Sequence, residues 1–273
     1  MRLSDMGNNS KILFVVEGER TERQLVNRLS KVFDVSSEIF AVRGNIYKLY
    51  QAVKDDPFSG IVDVLLEMTD SESDKANLAN VFTDVFLVFD CDAQHTMDPD
   101  EAHSMTAREV AVRNMGIIRE MAERFDESTE PERGKLLVNY PMVESFRDCD
   151  DFFDMSYADA VVAVESLRAY KNHVASRRLV RFHIKDFAKD NIQSLIRMNI
   201  FKLNKILHGR FEACPYVDFL SMNDQKEIAG KESDLVERDA MISVLNTLLF
   251  FPLEYFGNAN GVYDEVIDPV DMR

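Results

Sequence analysis

The sequence has little of what several classes of protein require. Its 273 residues include 10 glycines and 7 prolines, a scarcity that disfavours a turn-rich all-β fold and favours helices. Its three cysteines, Cys91, Cys149 and Cys214, are far apart and odd in number, so we expect neither a disulfide framework nor a zinc site. Such cysteine usage is typical of a reducing compartment, and we predict a cytoplasmic protein.

Long apolar runs and an excess of positive charge are also missing. No stretch reaches the roughly 18 apolar residues of a membrane-spanning helix, so we expect no membrane association. Residues 1–10 lack the apolar core of a signal peptide and are predicted to form a flexible leader. The net charge of −16 argues against a protein that binds nucleic acid nonspecifically over its whole surface.

The first half of the chain alternates between strand and helix patterns. Short apolar runs typical of buried strands occupy residues 11–16, 38–42, 85–89 and 135–140. Helical periodicity lies between them, most clearly over residues 106–125, and 46% of the chain is hydrophobic, enough for a full core. This alternation predicts an α/β fold with a mostly parallel sheet flanked by helices.

The pattern changes after residue 150, where we place a domain boundary. An α/β domain is predicted over residues 11–150 and a mainly helical region over residues 151–273, with an acidic, extended tail at 261–273. Within this region the apolar spacing predicts helices over residues 161–167, 182–198, 200–208 and 233–251. Pro252 is expected to end the last of these helices.

One basic segment, residues 168–210, stands out in the acidic chain. It contains 11 lysines and arginines against 2 acidic residues, a net charge of +9 that leaves −25 for the rest of the chain. Such a segment can contact a phosphate backbone or can simply be a solvated helix face, and the sequence leaves both interpretations open. Under the first interpretation, the candidate nucleic-acid-binding residues are Arg177, Arg178, Arg181, Lys185 and Lys189.

Carboxylates follow two of the predicted strands. Glu17 comes directly after the first strand, Glu22 lies in the first turn of the next helix, which Thr21 is expected to cap, and Asp90 and Asp92 follow the third strand. The C-terminal ends of parallel strands form the edge at which open α/β sheets bind ligands. Oxygen ligands that converge there suit a hard cation such as Mg²⁺. Alternatively, each carboxylate is solvated or caps the following helix.

These motifs resemble those of a known family. VVEGERTE, which contains Glu17, and the pair Asp90 and Asp92 resemble the signature of Toprim domains, which topoisomerases, bacterial primases, a ribosomal-RNA maturase and OLD-family nucleases share. The EGxxTE form is similar to stand-alone Toprim proteins of prokaryotic phage-defence and mobile-element operons. The resemblance covers residues 11–147. It implies that Glu22 joins a metal site and that Glu144, in NYPMVES, is a third acidic position of that site.

The resemblance implies a Toprim-like fold and a metal-dependent nuclease that hydrolyses phosphodiester bonds of DNA or RNA. Asp90 and Asp92, with Glu22, would hold one or two Mg²⁺ or Mn²⁺ ions. Glu17 would be a ligand or the general acid–base, since crowding among carboxylates raises its pKa. Glu144 would hold a second ion or orient water.

Other functions remain open at this level. The chain lacks the GxxxxGK[ST] loop of an ATPase, so a partner-dependent or non-catalytic subunit that works with a separate ATPase is a second hypothesis. A primase-like activity would need zinc-binding or template-handling modules, and the sequence shows none. His95 follows Asp92 by three residues and is a further candidate for contact with a metal or phosphate, although a loop histidine is more often incidental.

Overall fold

A mostly parallel sheet forms the centre of the protein in a computed structural model that describes residues 11–98, 104–258 and 261–268. Within these residues, the sheet has five strands in the order β2-β1-β3-β5-β4. They are β1 (Ile12–Val16), β2 (Ser37–Ala41), β3 (Asp84–Asp90), β4 (Asp126–Glu127) and β5 (Gly134–Asn139). Only β4 runs antiparallel to its neighbour. Apolar side chains of β1 and β3 are buried on both faces, as parallel strands require.

Helices connect these strands and cover the sheet, which confirms the predicted α/β class. They are α1 (Thr21–Val32), α2 (Ile46–Asp55), α3 (Ile61–Met68), α4 (Glu72–Leu78) and α5 (Ala107–Arg124). The start of α5 agrees with its prediction because Thr106 and Glu109 form a reciprocal capping box there. Within the described ranges, no helix is both long and apolar enough to cross a membrane.

The strand order creates a crevice between β1 and β3. From β1 the chain turns to β2 on one side and then crosses back to β3 on the other side. The connections therefore diverge at the C-terminal ends of β1 and β3, which is the place where open α/β sheets bind ligands. Val16 of β1 is in register with Val88 of β3, so the residues that follow both strands emerge at the same level.

The region after residue 150 is mainly helical and also contributes a short two-stranded sheet. Its strands are β6 (Val161–Ala163) and β7 (Met241–Ser243), which pair antiparallel. Its helices are α6 (Tyr170–Ala175), α7 (Lys189–His208), α8 (Tyr216–Met222), α9 (Gln225–Asp239), α10 (Phe251–Phe256) and α11 (Val262–Ile267). Short 3-10 helices join several of these elements.

The helix predicted over residues 233–251 is wrong. The helix α9 ends at Asp239, since Ala240 adopts the left-handed conformation with φ 54°, and β7 and a 3-10 helix (Thr247–Phe250) follow. Residues 242–251 are all buried, so no polar face distinguishes a helical period from a buried strand. Pro252 lies in the first turn of α10 instead of ending a helix, because a proline there loses no intrahelical hydrogen bond.

Four further predictions for this region are corrected. Residues 161–167 form β6 and a 3-10 helix (Val164–Ala169), and the helix predicted from residue 182 begins only at Lys189. The two helices predicted over 182–198 and 200–208 are the single helix α7. The tail predicted as extended contains α11, while residues 1–10 and 269–273 lie outside the described residues.

One hydrophobic core joins the two halves of the chain. The helix α9 packs along α5, and the Phe251 ring of α10 lies 4.7 Å from the Phe14 ring of β1 and 5.2 Å from the Phe86 ring of β3. Tyr140 and Leu245 exchange two backbone hydrogen bonds of 2.8 Å. The change in secondary structure near residue 150 therefore does not divide the core.

Candidate functional site

Five carboxylates meet at the C-terminal edge of the central strands, and we call them the acidic cluster. Electrostatic interactions link Asp90 to each of the other four side chains. The elements that position them are the ends of β1 and β3, the first turn of α1 and the 3-10 helix that follows β5. The members are Glu17, Glu22, Asp90, Asp92 and Glu144. The structure thus brings together the acidic residues that the sequence singled out.

Glu17 and Asp90 are tied to the protein backbone. Oε2 of Glu17 accepts a hydrogen bond from the backbone N–H of Asp90 at 3.3 Å. Oδ1 of Asp90 accepts one from the backbone N–H of Val143 at 2.7 Å. Each carboxylate keeps its second oxygen without a hydrogen-bond partner among the described residues. Both groups are therefore oriented, and each still has an oxygen for a ligand.

Glu22 reaches back over the turn that follows β1. A Cβ atom on Gly18 would lie 2.9 Å from both carboxylate oxygens of Glu22, closer than real side chains approach. Glycine at position 18 therefore leaves the space in which this carboxylate lies. The arrangement explains why a glycine separates Glu17 from the start of α1.

Asp92 lies in a loop that several side chains fix. Its φ of 41° is in the left-handed region, which aspartate tolerates better than most residues, and Gln94 donates a 3.2 Å hydrogen bond to its Oδ1. The His95 ring stacks on Tyr47 at 4.8 Å and lies 3.1 Å from the amide nitrogen of Asn45. Unusual backbone conformations often occur at functional sites.

Glu144 contacts two side chains whose roles the sequence did not indicate. The hydroxyl of Thr21 donates to its Oε1 at 3.2 Å, so the expected cap of α1 is wrong, and no side chain caps that helix. The ammonium group of Lys171 lies 2.7 Å from the same oxygen. Lys171 is 70% exposed, whereas Glu144 is 12% exposed. Its place in the basic segment was the only sequence signal for this contact.

The acidic cluster holds more negative charge than its surroundings neutralise. Among the described residues, Lys171 is the single cation within salt-bridge distance of the cluster. Burial, reinforced by Asp92, raises the pKa of Glu17 to about 8, and burial raises the pKa of Asp90 well above its ordinary value. Burial also raises the pKa values of Glu22 and Asp92. Protons or a cation must therefore offset this charge near neutral pH.

The donor chemistry of the acidic cluster fits a hard divalent cation. All five groups are carboxylates, and oxygen ligands are those that Mg²⁺ and Mn²⁺ prefer. However, within the part of the chain that the structure describes, no three acidic, histidine or cysteine side chains are arranged to hold one ion together. Binding of an ion would therefore require the carboxylate side chains to move from these positions.

The predicted nucleic-acid-binding residues lie in different settings. Arg177 bonds to the buried Asp148 at 2.7 Å, and Lys189 pairs with Glu265 at 2.8 Å. Acidic residues of the protein itself therefore pair with both of these positive charges. The remaining predicted residues are exposed and have no ion-pair partner among the described residues; they are Arg178, Arg181 and Lys185.

Comparison with known proteins adds no relative. No protein-family model matches the chain, and neither a curated protein nor a solved structure matches it. The resemblance to Toprim domains therefore depends on the short sequence motifs around Glu17 and Asp90 alone.

Proposed function

We propose that this protein is a metal-dependent nuclease that hydrolyses phosphodiester bonds of DNA or RNA. The observation that carries the proposal is the convergence of five under-neutralised carboxylates at the crevice between β1 and β3. Asp90, Asp92 and Glu22 would hold Mg²⁺ or Mn²⁺, with Glu144 available for a second ion. Such an ion, when bound, polarises a phosphate and stabilises charge on its oxygens.

Glu17 is suited to move a proton in this reaction. Its pKa of about 8 means that protonated and ionised forms are both populated near neutral pH. The Asp90 backbone N–H fixes one carboxylate oxygen and leaves the other for water or for the leaving oxygen. If Glu17 instead ligates the ion, its ionised form is the one that binds.

Lys171 is the group of this site best placed to meet a phosphate. Its side chain is largely exposed, and its ammonium group lies at the rim of the acidic cluster. A lysine there lowers the repulsion between the cluster and a polyanion. We infer that Lys171 leaves Glu144 for a phosphate oxygen when nucleic acid binds.

The proposal is tested by cleavage of labelled DNA and RNA with Mg²⁺ or Mn²⁺. We expect Asp90→Asn to lose activity by on the order of 100-fold or more, while Asp63→Asn, an exposed substitution on α3, keeps it. Chelation with EDTA should abolish cleavage by the unmodified protein. Equal activity of the unmodified protein and Asp90→Asn would exclude this site from the mechanism.

A partner-dependent subunit is the second candidate, and one observation favours it. The carboxylates do not share one ligand position among the described residues, as expected if a further event, such as contact with a separate ATPase, completes the site. An isolated protein that binds Mn²⁺ but cleaves neither DNA nor RNA would support this candidate. We further propose that the protein is cytoplasmic, because all three of its cysteines are unpaired, as is usual in a reducing compartment. We also propose that it acts in prokaryotic antiviral defence, as its sequence motifs suggest.

A further inference from the structure

A cavity of about 370 Å³ lies between α1 and the 3-10 helix Ile184–Asp186. One face of α1 forms its first wall, because residues three, four and seven positions apart point to the same side of a helix. The second wall comes from the basic segment. The polar side chains that line the cavity are Gln24, Asn27, Arg28, Lys31, His183 and Lys185.

The cavity differs in charge from the rest of this acidic protein. Its walls contain three permanent cations and no carboxylate. Arg28, Lys31 and Lys185 have no ion-pair partner among the described residues, whereas acidic residues pair with other cations of the basic segment, such as Arg177, Lys189 and Lys205. Asp186 follows Lys185 but does not line the cavity.

Arg28 gives the cavity a fixed donor. Its guanidinium group donates to the backbone oxygen of Phe187, which holds the side chain between the two walls. Its Nε is buried without a hydrogen-bond partner among the described residues, and an unmet buried donor is costly. The neighbouring amides of Gln24 and Asn27 are exposed and can donate further hydrogen bonds to an anion.

The cavity lies close to the acidic cluster along the same helix. Glu22 belongs to the cluster and Arg28 to the cavity, and six residues of α-helix span about 9 Å along the axis. A strand only a few nucleotides long spans this separation. A strand with a phosphodiester bond at the cluster can therefore place a second phosphate at the cavity.

We propose that this cavity binds a backbone phosphate of the nucleic acid, within a few nucleotides of the bond that is cut. The proposal rests on the nuclease function proposed above, and it assigns Lys31 and Lys185 as positioning residues. Contacts to phosphate carry no base information, so binding through this cavity is independent of sequence. It also explains how a chain with a net charge of −16 holds a polyanion.

Binding of a fluorescent single strand, measured by anisotropy at several salt concentrations, tests the proposal. The measurement uses the full chain in an Asp90→Asn background, so that cleavage does not interfere. We expect Lys31→Ala/Lys185→Ala to weaken binding at least about tenfold and to reduce the slope of log K against log salt by about 1.4. Both side chains are exposed, and an unchanged melting temperature verifies folding.

The control removes the same charge elsewhere. Arg119→Ala/Lys231→Ala changes two exposed residues on α5 and α9, and we expect it to alter affinity less than threefold. Equal losses in the two double variants would overturn the proposal, because net charge alone would then explain the effect. An unchanged affinity and slope in Lys31→Ala/Lys185→Ala would overturn it directly.

Three further results separate this proposal from the nuclease and from a site for small anions. If the unmodified protein cleaves with Mg²⁺ but the cavity variant binds normally, the cavity fails and the nuclease function stands. If no cleavage occurs but the cavity variant still loses binding, the nuclease function fails and the phosphate site stands. The third result concerns inorganic phosphate, which would bind the cavity with a dissociation constant of ~1 mM if the site accepts free anions. If phosphate binds in this way and Lys31→Ala/Lys185→Ala leaves strand affinity unchanged, the site serves free anions and the proposal is wrong.

Discussion

The backbone N–H of Asp90 donates a hydrogen bond to the Glu17 carboxylate, and this contact ties the end of β3 to the end of β1. The two residues are 73 positions apart in the chain. Their contact brings two acidic groups together in a buried place, where Glu17 makes ionisation of Asp90 more costly and Asp92 and Glu22 do the same to Glu17. Proton binding and cation binding are therefore alternatives at this site.

We predict that the stability of the metal-free protein decreases as the pH rises from about 4.5 to about 8. Burial raises the pKa of Glu17 from its ordinary value of 4.5 to about 8, so the folded protein holds more protons than the unfolded chain in this range. The free energy of unfolding therefore decreases as pH rises. Chemical denaturation at several pH values measures this slope.

Two variants identify the group responsible for that slope. Glu17→Gln should reduce it, with a remainder from Asp90, Asp92 and Glu22, whose pKa values are also raised. Glu19→Gln, an exposed neighbour paired with Arg43, should leave it unchanged. Excess Mg²⁺ at pH 8 should restore stability in the unmodified protein. A slope that is identical in all three proteins would contradict the assignment to Glu17.

Gly18→Ala should weaken cation binding with little effect on the fold. The added Cβ would lie 2.9 Å from both oxygens of Glu22, so that carboxylate must rotate away. Titration with Mn²⁺ measures the affinity, and we expect a loss of about tenfold or more, typical of a disturbed ligand shell. Gly116→Ala is the control, because a Cβ there meets nothing within 4 Å. It should leave Mn²⁺ affinity unchanged and stabilise α5 by about 0.5–1 kcal/mol.

Lys202 and Glu232 are buried and interact electrostatically without a salt bridge between them, so their substitutions should be coupled. The ammonium group of Lys202 donates to the backbone oxygens of Ala158 and Ala160 at 3.0 and 2.7 Å, and burial lowers its pKa to about 8. Lys202→Met would remove a cation that interacts electrostatically with the buried Glu232 and would leave two backbone oxygens without this donor, a loss that typically costs about 1–3 kcal/mol. Denaturant unfolding measures the loss.

A double substitution separates charge from packing at this pair. Adding Glu232→Gln to Lys202→Met should recover at least about 1 kcal/mol, because an amide needs no counter-charge. Lys231→Met, on the exposed side of α9, should change stability by less than about 0.5 kcal/mol. Strict additivity of the two buried substitutions would show that their charges do not interact.

Phe251→Ala should destabilise the whole protein. The ring is fully buried and packs edge-on against Phe14 and Phe86 of the central sheet. Loss of a buried phenylalanine costs about 3–5 kcal/mol. Phe58→Ala, which removes a ring that is 98% exposed, should have almost no effect. A single cooperative transition that shifts with Phe251→Ala would verify that both halves unfold together.

The sequence was sufficient for the features that depend on local pattern. Buried parallel strands appear as apolar runs, so β1, β3 and β5 were predicted to within a residue or two at each end, and Glu17 and Asp90 followed from their positions. The sequence was not sufficient where packing between distant segments determines the secondary structure or the contacts of a side chain. The run after Ala240 is buried on all sides and has no period, and Lys171 meets Glu144 only because α6 folds back over the strand ends.

The pairing of β5 with the C-terminal segment has a consequence during synthesis. Thr247 bonds to the backbone oxygen of Val138, 109 residues earlier, and Leu248 bonds to the side chain of Asn139 beside Asp90. A ribosome must therefore translate more than a hundred residues after β5 before these bonds can form. Under the proposed function, the strand beside Asp90 therefore gains its final contacts only after Leu248 has been synthesised.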